Sequence, residues 1–197
     1  MLRRLGVPLF DADQAVHRLL APGGSGVRPV SEMFQGVETA VGGIDRALLG
    51  QRVYADPDAL PRLEAILHPM VAAAETRFIN RARARRERVA VLDIPLLLET
   101  GAERRCDYVL VVSAPAWVQR QRVLRRPGMT EIRLAAILRK QMPDHEKRRR
   151  ADFVVPTGLR RGVTLRYLKV IIRILQRNGS SCASPVRRLA YHRGMRR

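Results

Sequence analysis

The sequence predicts an α/β fold in which a mostly parallel sheet is flanked by helices. Two apolar runs, at 89–94 (VAVLDI) and 106–115 (CDYVLVVSAP), suit strands that are covered on both faces. Helical patterns precede and follow these runs, and an alternation of strands and helices is typical of parallel sheets. A chain of 197 residues with 46% hydrophobic residues is also long enough to bury a core.

The first twenty residues predict the end of a helix, a short strand and the start of a second helix. Residues 2–5 have the pattern of a last helical turn, and Gly6 stands where a C-terminal cap is favoured. The run VPLF at 7–10 predicts a buried strand. Asp11 and Asp13 follow it, and one of them is expected to cap the next helix.

A helical region is predicted over 20–88. Its first loop, APGGSG, is rich in glycine but lacks the Lys-Ser/Thr of a phosphate-binding loop, and we interpret it as a plain connection. Apolar residues at helical spacing follow, and Pro57, Pro61 and Pro69 predict breaks between helices.

The second half of the chain continues the pattern of strands and helices. Helices are predicted at 116–126 and 129–143, a short strand at 152–157 and a further helix at 162–177. Residues 178–197 carry five arginines and no acidic residue, and this composition predicts a flexible basic tail.

The positive charge of the chain, +19 in total, is concentrated in its second half. Residues 1–100 carry 13 basic and 12 acidic residues, whereas residues 101–197 carry 24 basic and 6 acidic residues. Such a field suits a polyanion such as nucleic acid or a smaller phosphorylated ligand. No apolar run approaches the ~20 residues that span a bilayer. The two cysteines fit no metal spacing and are expected to be reduced thiols in the cytoplasm.

Two groups of charged residues are candidates for chemistry. Asp11 and Asp13 follow a strand, where carboxylates could hold a divalent metal or accept a proton, although spacing alone slightly favours helix capping. Arg122 and Arg126 share one helix face and could bind phosphate oxygens, although a solvated basic face is the simpler reading. His68, beside a proline, is more often structural than catalytic.

In open parallel sheets, ligands bind beyond the carboxyl ends of the strands. The predicted strand ends therefore place Asp11 and Asp13, the segment 95–99 and the segment 113–115 around one crevice.

Taken in order, these segments resemble the dephospho-CoA kinases, a family of P-loop kinases that complete coenzyme A synthesis. The resemblance covers residues 2–177 and rests on motifs that are weak singly and specific in their order and spacing. These motifs are LGVPLFDADQAVHRL, the helical stretch that ends in LHP, the strand and turn VAVLDIPLLLE, the strand and helix VLVVSAPAWVQRQRVLRR, and the segment MTEIRLAAILRKQMPDHEKRRRADFVV.

The resemblance implies a P-loop NTPase-like kinase domain over 1–177, with a helical substrate region at 20–88 and a helical lid at 116–150. Its reaction transfers phosphate from ATP, with Mg²⁺, to the ribose 3′-hydroxyl of dephospho-CoA. Asp13 matches the position of the general base, and Arg122 matches a lid arginine that reaches the ATP phosphates.

The same resemblance assigns supporting roles to four more side chains. Arg126 is implied as a second phosphate contact. Asp11, His68 and Glu99 are implied to shape the substrate side or to hold the fold. No protein ligand for a metal is assigned.

One departure from the family is large. Residues 1–197 contain no first strand followed by a Gly-x-x-x-x-Gly-Lys-Ser/Thr loop, and no lysine precedes Lys140. The missing strand would be central in the sheet, and its absence would expose the backbone groups of its neighbours. We therefore expect negligible kinase activity from the chain as written. Met1 is then either an internal methionine of the first helix or the start of a truncated, inactive chain, and we favour the first.

Two other hypotheses compete with this one. The basic second half could belong to a nucleic-acid-binding protein, but aromatic residues make up only 5% of the chain and offer no stacking platform. We accordingly expect non-specific nucleic-acid binding at most. A different small-molecule P-loop kinase, such as a nucleoside kinase, is the second alternative.

Overall fold

The computed structural model describes residues 1–178 and 187–192 of the chain. The chain forms two compact units, one from Met1–Phe10 and Arg81–Arg197 and the other from Asp11–Asn80. The first unit carries most of the sheet, and the second is helical.

The sheet has five strands. They are β1 (Leu9–Asp11), β2 (Val89–Asp93), β3 (Tyr108–Ser113), β4 (Phe153–Pro156) and β5 (Arg187–His192). The strand order is β1-β2-β5-β3-β4, and the pairs β2–β5, β5–β3 and β3–β4 are parallel. This arrangement confirms the predicted α/β fold with a parallel sheet.

Eight α-helices lie in the described ranges. They are α1 (Ala12–Leu20), α2 (Val27–Met33), α3 (Arg46–Ala55), α4 (Ala59–Ala84), α5 (Ala116–Leu124), α6 (Glu131–Lys140), α7 (Asp144–Arg150) and α8 (Arg161–Asn178). Short 3₁₀ helices span Leu2–Leu5 and Ala102–Arg105. As the sequence predicts, Gly6 ends the first of these in the left-handed conformation, with φ of 71°.

Alternate residues of β3 pack on opposite faces of the sheet. Leu110 and Val112 belong to an apolar cluster with α8, whereas Val109 and Val111 pack against Leu97 and Leu98. All five residues of β2 are buried. Both strands are therefore covered on both faces, as their uninterrupted apolar character predicts.

Strand β5 lies between β2 and β3, within the segment for which the sequence predicts a flexible tail. Residues Val89–Asp93 of β2 pair with 187–191, and Tyr108–Val111 of β3 pair with 189–192. The prediction of a flexible tail is therefore wrong at these six residues. Without β5, a gap between β2 and β3 would leave the backbone groups of these two buried strands unpaired. Residues 179–186 and 193–197 of the predicted tail lie outside the described residues.

The helical unit has an apolar cluster of its own. Leu20, Val30, Phe34 and Leu67 are among its buried members, and they come from α1, α2 and α4 and from the residue that ends α2. No helix in the described part of the chain is both long and apolar enough to cross a membrane.

The predicted helix breaks at Pro61 and Pro69 are wrong. Helix α4 runs without interruption for 26 residues and contains both prolines. Pro61 lies in the first turn, where its missing N–H needs no partner. At Pro69 one backbone hydrogen bond is lost, but Ile66 and Leu67 pack in the helical unit's cluster and hold the helix together there. The predicted break near Pro57 is present, between α3 and α4.

Candidate active site

Asp11 and Asp13 occupy different environments at the start of α1. Asp11 is buried, and its Oδ1 accepts a hydrogen bond from the Gln14 backbone N–H at 3.0 Å. Asp11 is therefore the N-cap that the sequence predicts for one of the two. Asp13 lies two residues later in the first turn, and its side chain is exposed. Of the two carboxylates, Asp13 is the one presented to solvent.

His68 lies on α4 in the same helical unit as Asp13 and is exposed. It follows the buried Leu67 and precedes Pro69 within a continuous helix. Local packing of its neighbours therefore fixes the backbone at this position, while the imidazole itself faces solvent.

Arg122 lies in the last turn of α5, which begins three residues after the end of β3. Its guanidinium Nη2 donates a hydrogen bond to the Thr157 carbonyl at 2.7 Å. Thr157 follows β4 directly, and its backbone N–H donates to the Ser113 carbonyl at the end of β3, also at 2.7 Å. Arg122 is thereby held beyond the carboxyl ends of two neighbouring strands, where α/β sheets bind ligands.

Arg126 lies one helical turn after Arg122, just past the end of α5. Its Nε and Nη2 atoms are buried, and neither has a hydrogen-bond partner among the described residues. Leaving buried donors of a charged group unsatisfied is costly, and an anionic ligand would remove that cost. The environment of Arg126 therefore favours an anion in contact with it.

An ion pair joins helix α6 to α5. Arg120 of α5 forms an ion pair with Glu131 in the first turn of α6, and both side chains are more than half exposed. Thr130 caps α6 by accepting the Arg133 backbone N–H at 3.3 Å. We call α5 and α6 (116–140) the lid helices, because they form the first part of the predicted lid.

Glu99 is engaged within its own unit. Its Oε1 lies 2.7 Å from Lys147 Nζ and accepts the Met142 backbone N–H at 3.0 Å. Burial raises the pKa of Glu99, but the hydrogen bonds and the charge of Lys147 outweigh burial and hold the pKa below its usual value. The resemblance assigns Glu99 to the substrate side or to the fold, and these contacts favour the second.

The lowered pKa of Glu99 predicts a specific loss of stability in acid. The Glu99 carboxylate binds a proton less readily in the folded state than in the unfolded chain. Its contribution to stability is therefore complete above the pKa of the unfolded chain, about 4.3, and is lost as the pH falls through the lower pKa of the folded state. Urea unfolding of the unaltered chain and of Glu99→Gln, at pH values from 7 down to 3, should show the difference between their unfolding free energies shrinking below about pH 4.5.

A matched control for this prediction is Glu64→Gln, because Glu64 is exposed on α4. This variant should keep the pH dependence of the unaltered chain. A difference between the unaltered chain and Glu99→Gln that stays constant down to pH 3 would contradict the prediction.

The sequence analysis did not single out Asp93 and Lys147 as residues of interest. Asp93 ends β2 and is 1% exposed. Lys147 is buried, whereas Arg148, Arg149 and Arg150 beside it are exposed. A lone acid at the end of an apolar run, and a lone lysine in an arginine run, are the signals that could have found them.

A parallel α/β sheet with the Arg122 side chain beyond the carboxyl ends of its strands is typical of one class, the α/β proteins that bind phosphorylated ligands. Comparison with known proteins narrows this class. The family model described as CoaE: Dephospho-CoA kinase matches residues 1–158. The chain belongs to the dephospho-CoA kinase family.

Individual relatives agree with the family match. The chain is 56% identical over 186 residues to a dephospho-CoA kinase of Paramagnetospirillum magneticum, a match that covers 94% of this chain and 86% of the relative. It is 54% identical over 169 residues to that of Rhodospirillum rubrum, covering 86% and 80% of the two chains.

Two solved structures share the fold. The crystal structure of TT1252 from Thermus thermophilus is 32% identical, with a TM-score of 0.71, and the match covers 88% of this chain and 87% of that one. Dephospho-CoA kinase from Campylobacter jejuni has a TM-score of 0.66 at 23% identity, with 90% and 89% of the chains covered, and this likeness supports the fold alone.

Proposed function

We propose that this protein transfers the γ-phosphoryl group of ATP to the ribose 3′-hydroxyl of dephospho-CoA, giving coenzyme A and ADP. The observation that carries the proposal is the pair of arginines at the end of α5. Arg122 is anchored beyond the ends of β3 and β4, and Arg126 has buried donors without a partner in the described part of the chain. Membership in the dephospho-CoA kinase family supplies the identity of the phosphorylated ligands.

Arg122 and Arg126 are proposed to bind the ATP phosphates. Phosphoryl transfer needs positioning and neutralisation of charge more than covalent participation of the protein. The unfilled Nε and Nη2 of Arg126 could donate to phosphate oxygens directly. One Nη of Arg122 is already committed to Thr157, which orients the plane of the guanidinium before ligand arrives.

Asp13 is proposed as the general base that accepts the proton of the ribose 3′-hydroxyl. Asp13 is exposed in the first turn of α1, where Asp11 takes the capping role, and an exposed carboxylate at this position can be reached by a ligand. Asp11 holds this turn through its cap, and His68 on the same helical unit is proposed to contact dephospho-CoA.

Mg²⁺ is proposed to enter bound to ATP. Magnesium usually keeps several waters and is held by substrate phosphates together with one or two carboxylates, so a dedicated cluster of protein ligands is not required.

We also propose that the protein works in the cytoplasm and binds nucleic acid only non-specifically. The two cysteines suit a reducing compartment. The excess of basic residues in 101–197 would attract any polyanion, and such binding should weaken steeply with salt.

The choice of substrate is tested by calorimetric titration with dephospho-CoA and, separately, with adenosine and other nucleosides. Dephospho-CoA should bind, and an excess of nucleoside should not abolish its binding. Tight binding of a nucleoside with no response to dephospho-CoA would contradict the proposal and favour the nucleoside-kinase alternative.

The phosphate role of Arg122 predicts a large loss of ATP affinity in Arg122→Ala. Hydrogen bonds to charged groups contribute about 1.5–3 kcal/mol, which corresponds to a rise in Kd of about 10-fold to 150-fold. The Kd of Arg122→Lys for ATP should lie between those of the unaltered chain and Arg122→Ala, because lysine keeps the charge and loses the planar pair of donors. Calorimetry with ATP, on proteins expressed together with any in-frame codons upstream of Met1, measures the change.

Arg125→Ala is the matched control, because Arg125 is a neighbouring arginine with an exposed side chain. Its ATP affinity should stay close to that of the unaltered chain. Equal losses in the two variants would mean that the arginines act only through general charge.

A further inference from the structure

A buried ion pair joins α7 to the turn after β2. Lys147 Nζ and Glu99 Oε1 are 2.7 Å apart, and their side chains are only 7% and 13% exposed. Lys147 points inward from a helix whose next three residues, all arginines, are exposed. A charge pair that is withdrawn from solvent in this way is tightly constrained in geometry, because either charge alone would be costly to bury.

The same carboxylate oxygen also holds the connection between α6 and α7. Glu99 Oε1 accepts the Met142 backbone N–H at 3.0 Å, and Met142 lies two residues after the end of α6. The Met142 side chain packs against the apolar cluster that contains Leu97 and Leu98. One carboxylate therefore fixes both the end of α6 and the body of α7.

A second contact ties α7 to the sheet. Ser113, the last residue of β3, donates its hydroxyl to Asp144 Oδ2 at 2.8 Å, and Asp144 is the first residue of α7. The predicted lid extends to residue 150, but α7 is held at two points, by Ser113 at its first residue and by Glu99 at Lys147. We therefore do not count α7 among the lid helices.

The lid helices are consequently held at both ends of their segment. Helix α5 begins three residues after β3, and α6 ends two residues before Met142. Arg122 lies on α5, and the ion pair between Arg120 and Glu131 links α5 to α6. A displacement of Met142 would therefore be passed through α6 to the helix that carries Arg122.

We propose that Glu99 and Lys147 are positioning residues, which set the placement of the lid helices and through them the binding of ATP, and that Glu99 does not contact dephospho-CoA. This inference rests on the proposed function, because it takes the ligand of Arg122 and Arg126 to be ATP. In this proposal the lid helices bind ATP through Arg122, and the junction of Glu99, Lys147 and Met142 holds the end of the segment that follows them.

The test compares Glu99→Gln, Lys147→Met and the double variant with the unaltered chain, all expressed together with any in-frame codons upstream of Met1. Arg148→Met is the matched control, because Arg148 is the exposed neighbour of Lys147 on α7. Hydrogen–deuterium exchange is followed by mass spectrometry in peptides from 131–147 and from β2 and β3. Calorimetry measures the affinities for ATP and for dephospho-CoA.

We expect exchange in 131–147 to rise by about 10-fold or more in both single variants, with β2 and β3 unchanged, since local opening sets exchange rates. ATP affinity should fall about 10-fold, while dephospho-CoA affinity stays within about 2-fold. The double variant should be disturbed no more than either single variant, because neither buried charge is then left without its partner. Arg148→Met should behave as the unaltered chain.

Three results would overturn the inference. Unchanged exchange in 131–147 would show that the junction does not hold the lid helices. Unchanged ATP affinity despite faster exchange would show that Glu99 and Lys147 stabilise the fold without affecting ATP binding. Loss of dephospho-CoA affinity with ATP binding intact would place Glu99 on the substrate. If the unaltered chain, expressed together with any in-frame codons upstream of Met1, binds neither ligand, the proposed function fails, and the exchange comparison still decides whether the junction holds the lid helices.

Discussion

Replacing Asp13 with asparagine is expected to lower kcat for phosphorylation of dephospho-CoA by about 10²-fold to 10⁴-fold, the range typical for loss of a general base. The amide has nearly the same shape as the carboxylate but cannot take up the proton of the ribose 3′-hydroxyl. Because Asp11 and not Asp13 caps α1, the change should leave the helix and the fold intact.

Turnover is measured by coupling ADP formation to a spectroscopic signal, with the chain expressed together with any in-frame codons upstream of Met1. Asp58→Asn is the matched control, because Asp58 is also an exposed aspartate of the helical unit. Calorimetry should show similar dephospho-CoA affinity in both variants and in the unaltered protein. An unchanged kcat in Asp13→Asn would exclude Asp13 as the base.

Replacing Ala190 with proline is expected to abolish cooperative folding of the unit that carries the sheet. Ala190 pairs with Leu92 of β2 on one side and with Val109 of β3 on the other. Proline has no backbone N–H and does not fit a central strand. Each buried backbone group left unpaired costs about 1–3 kcal/mol, and distortion of β5 affects both neighbouring strands.

Urea unfolding followed by circular dichroism measures this effect. The control, Ala190→Ser, keeps the backbone N–H and a small side chain, and it should unfold at nearly the same urea concentration as the unaltered chain. A second control ends the chain after His192, so that β5 remains complete. If Ala190→Pro is as stable as these controls, β5 does not contribute to the sheet in solution.

The sequence by itself determined the fold class and the ends of several elements. The apolar runs at β2 and β3 lack alternation, which is the pattern of strands buried on both faces, and both are buried in the structure. Gly6 and Asp11 are local signals, because a cap depends on the few residues beside it. The order of motifs identified the family correctly.

Local signals were less informative where tertiary packing competes with them. Pro69 predicts a helix break, yet α4 continues through it, since packing of Ile66 and Leu67 offsets one lost hydrogen bond. The composition of 178–197 predicts a flexible tail, yet 187–192 form the central strand. A strand in the middle of a parallel sheet is stabilised by partners distant in sequence, which composition does not record.

The contacts of the candidate site were decided by the tertiary structure alone. Arg122 contacts Thr157, Ser113 contacts Asp144, and Glu99 contacts Lys147, each across more than thirty residues. Sequence spacing shows which side chains share a helix face, but it cannot show which distant side chain a buried charge will meet. Burial makes each of these partners necessary, because a charged or polar group withdrawn from water must be paired.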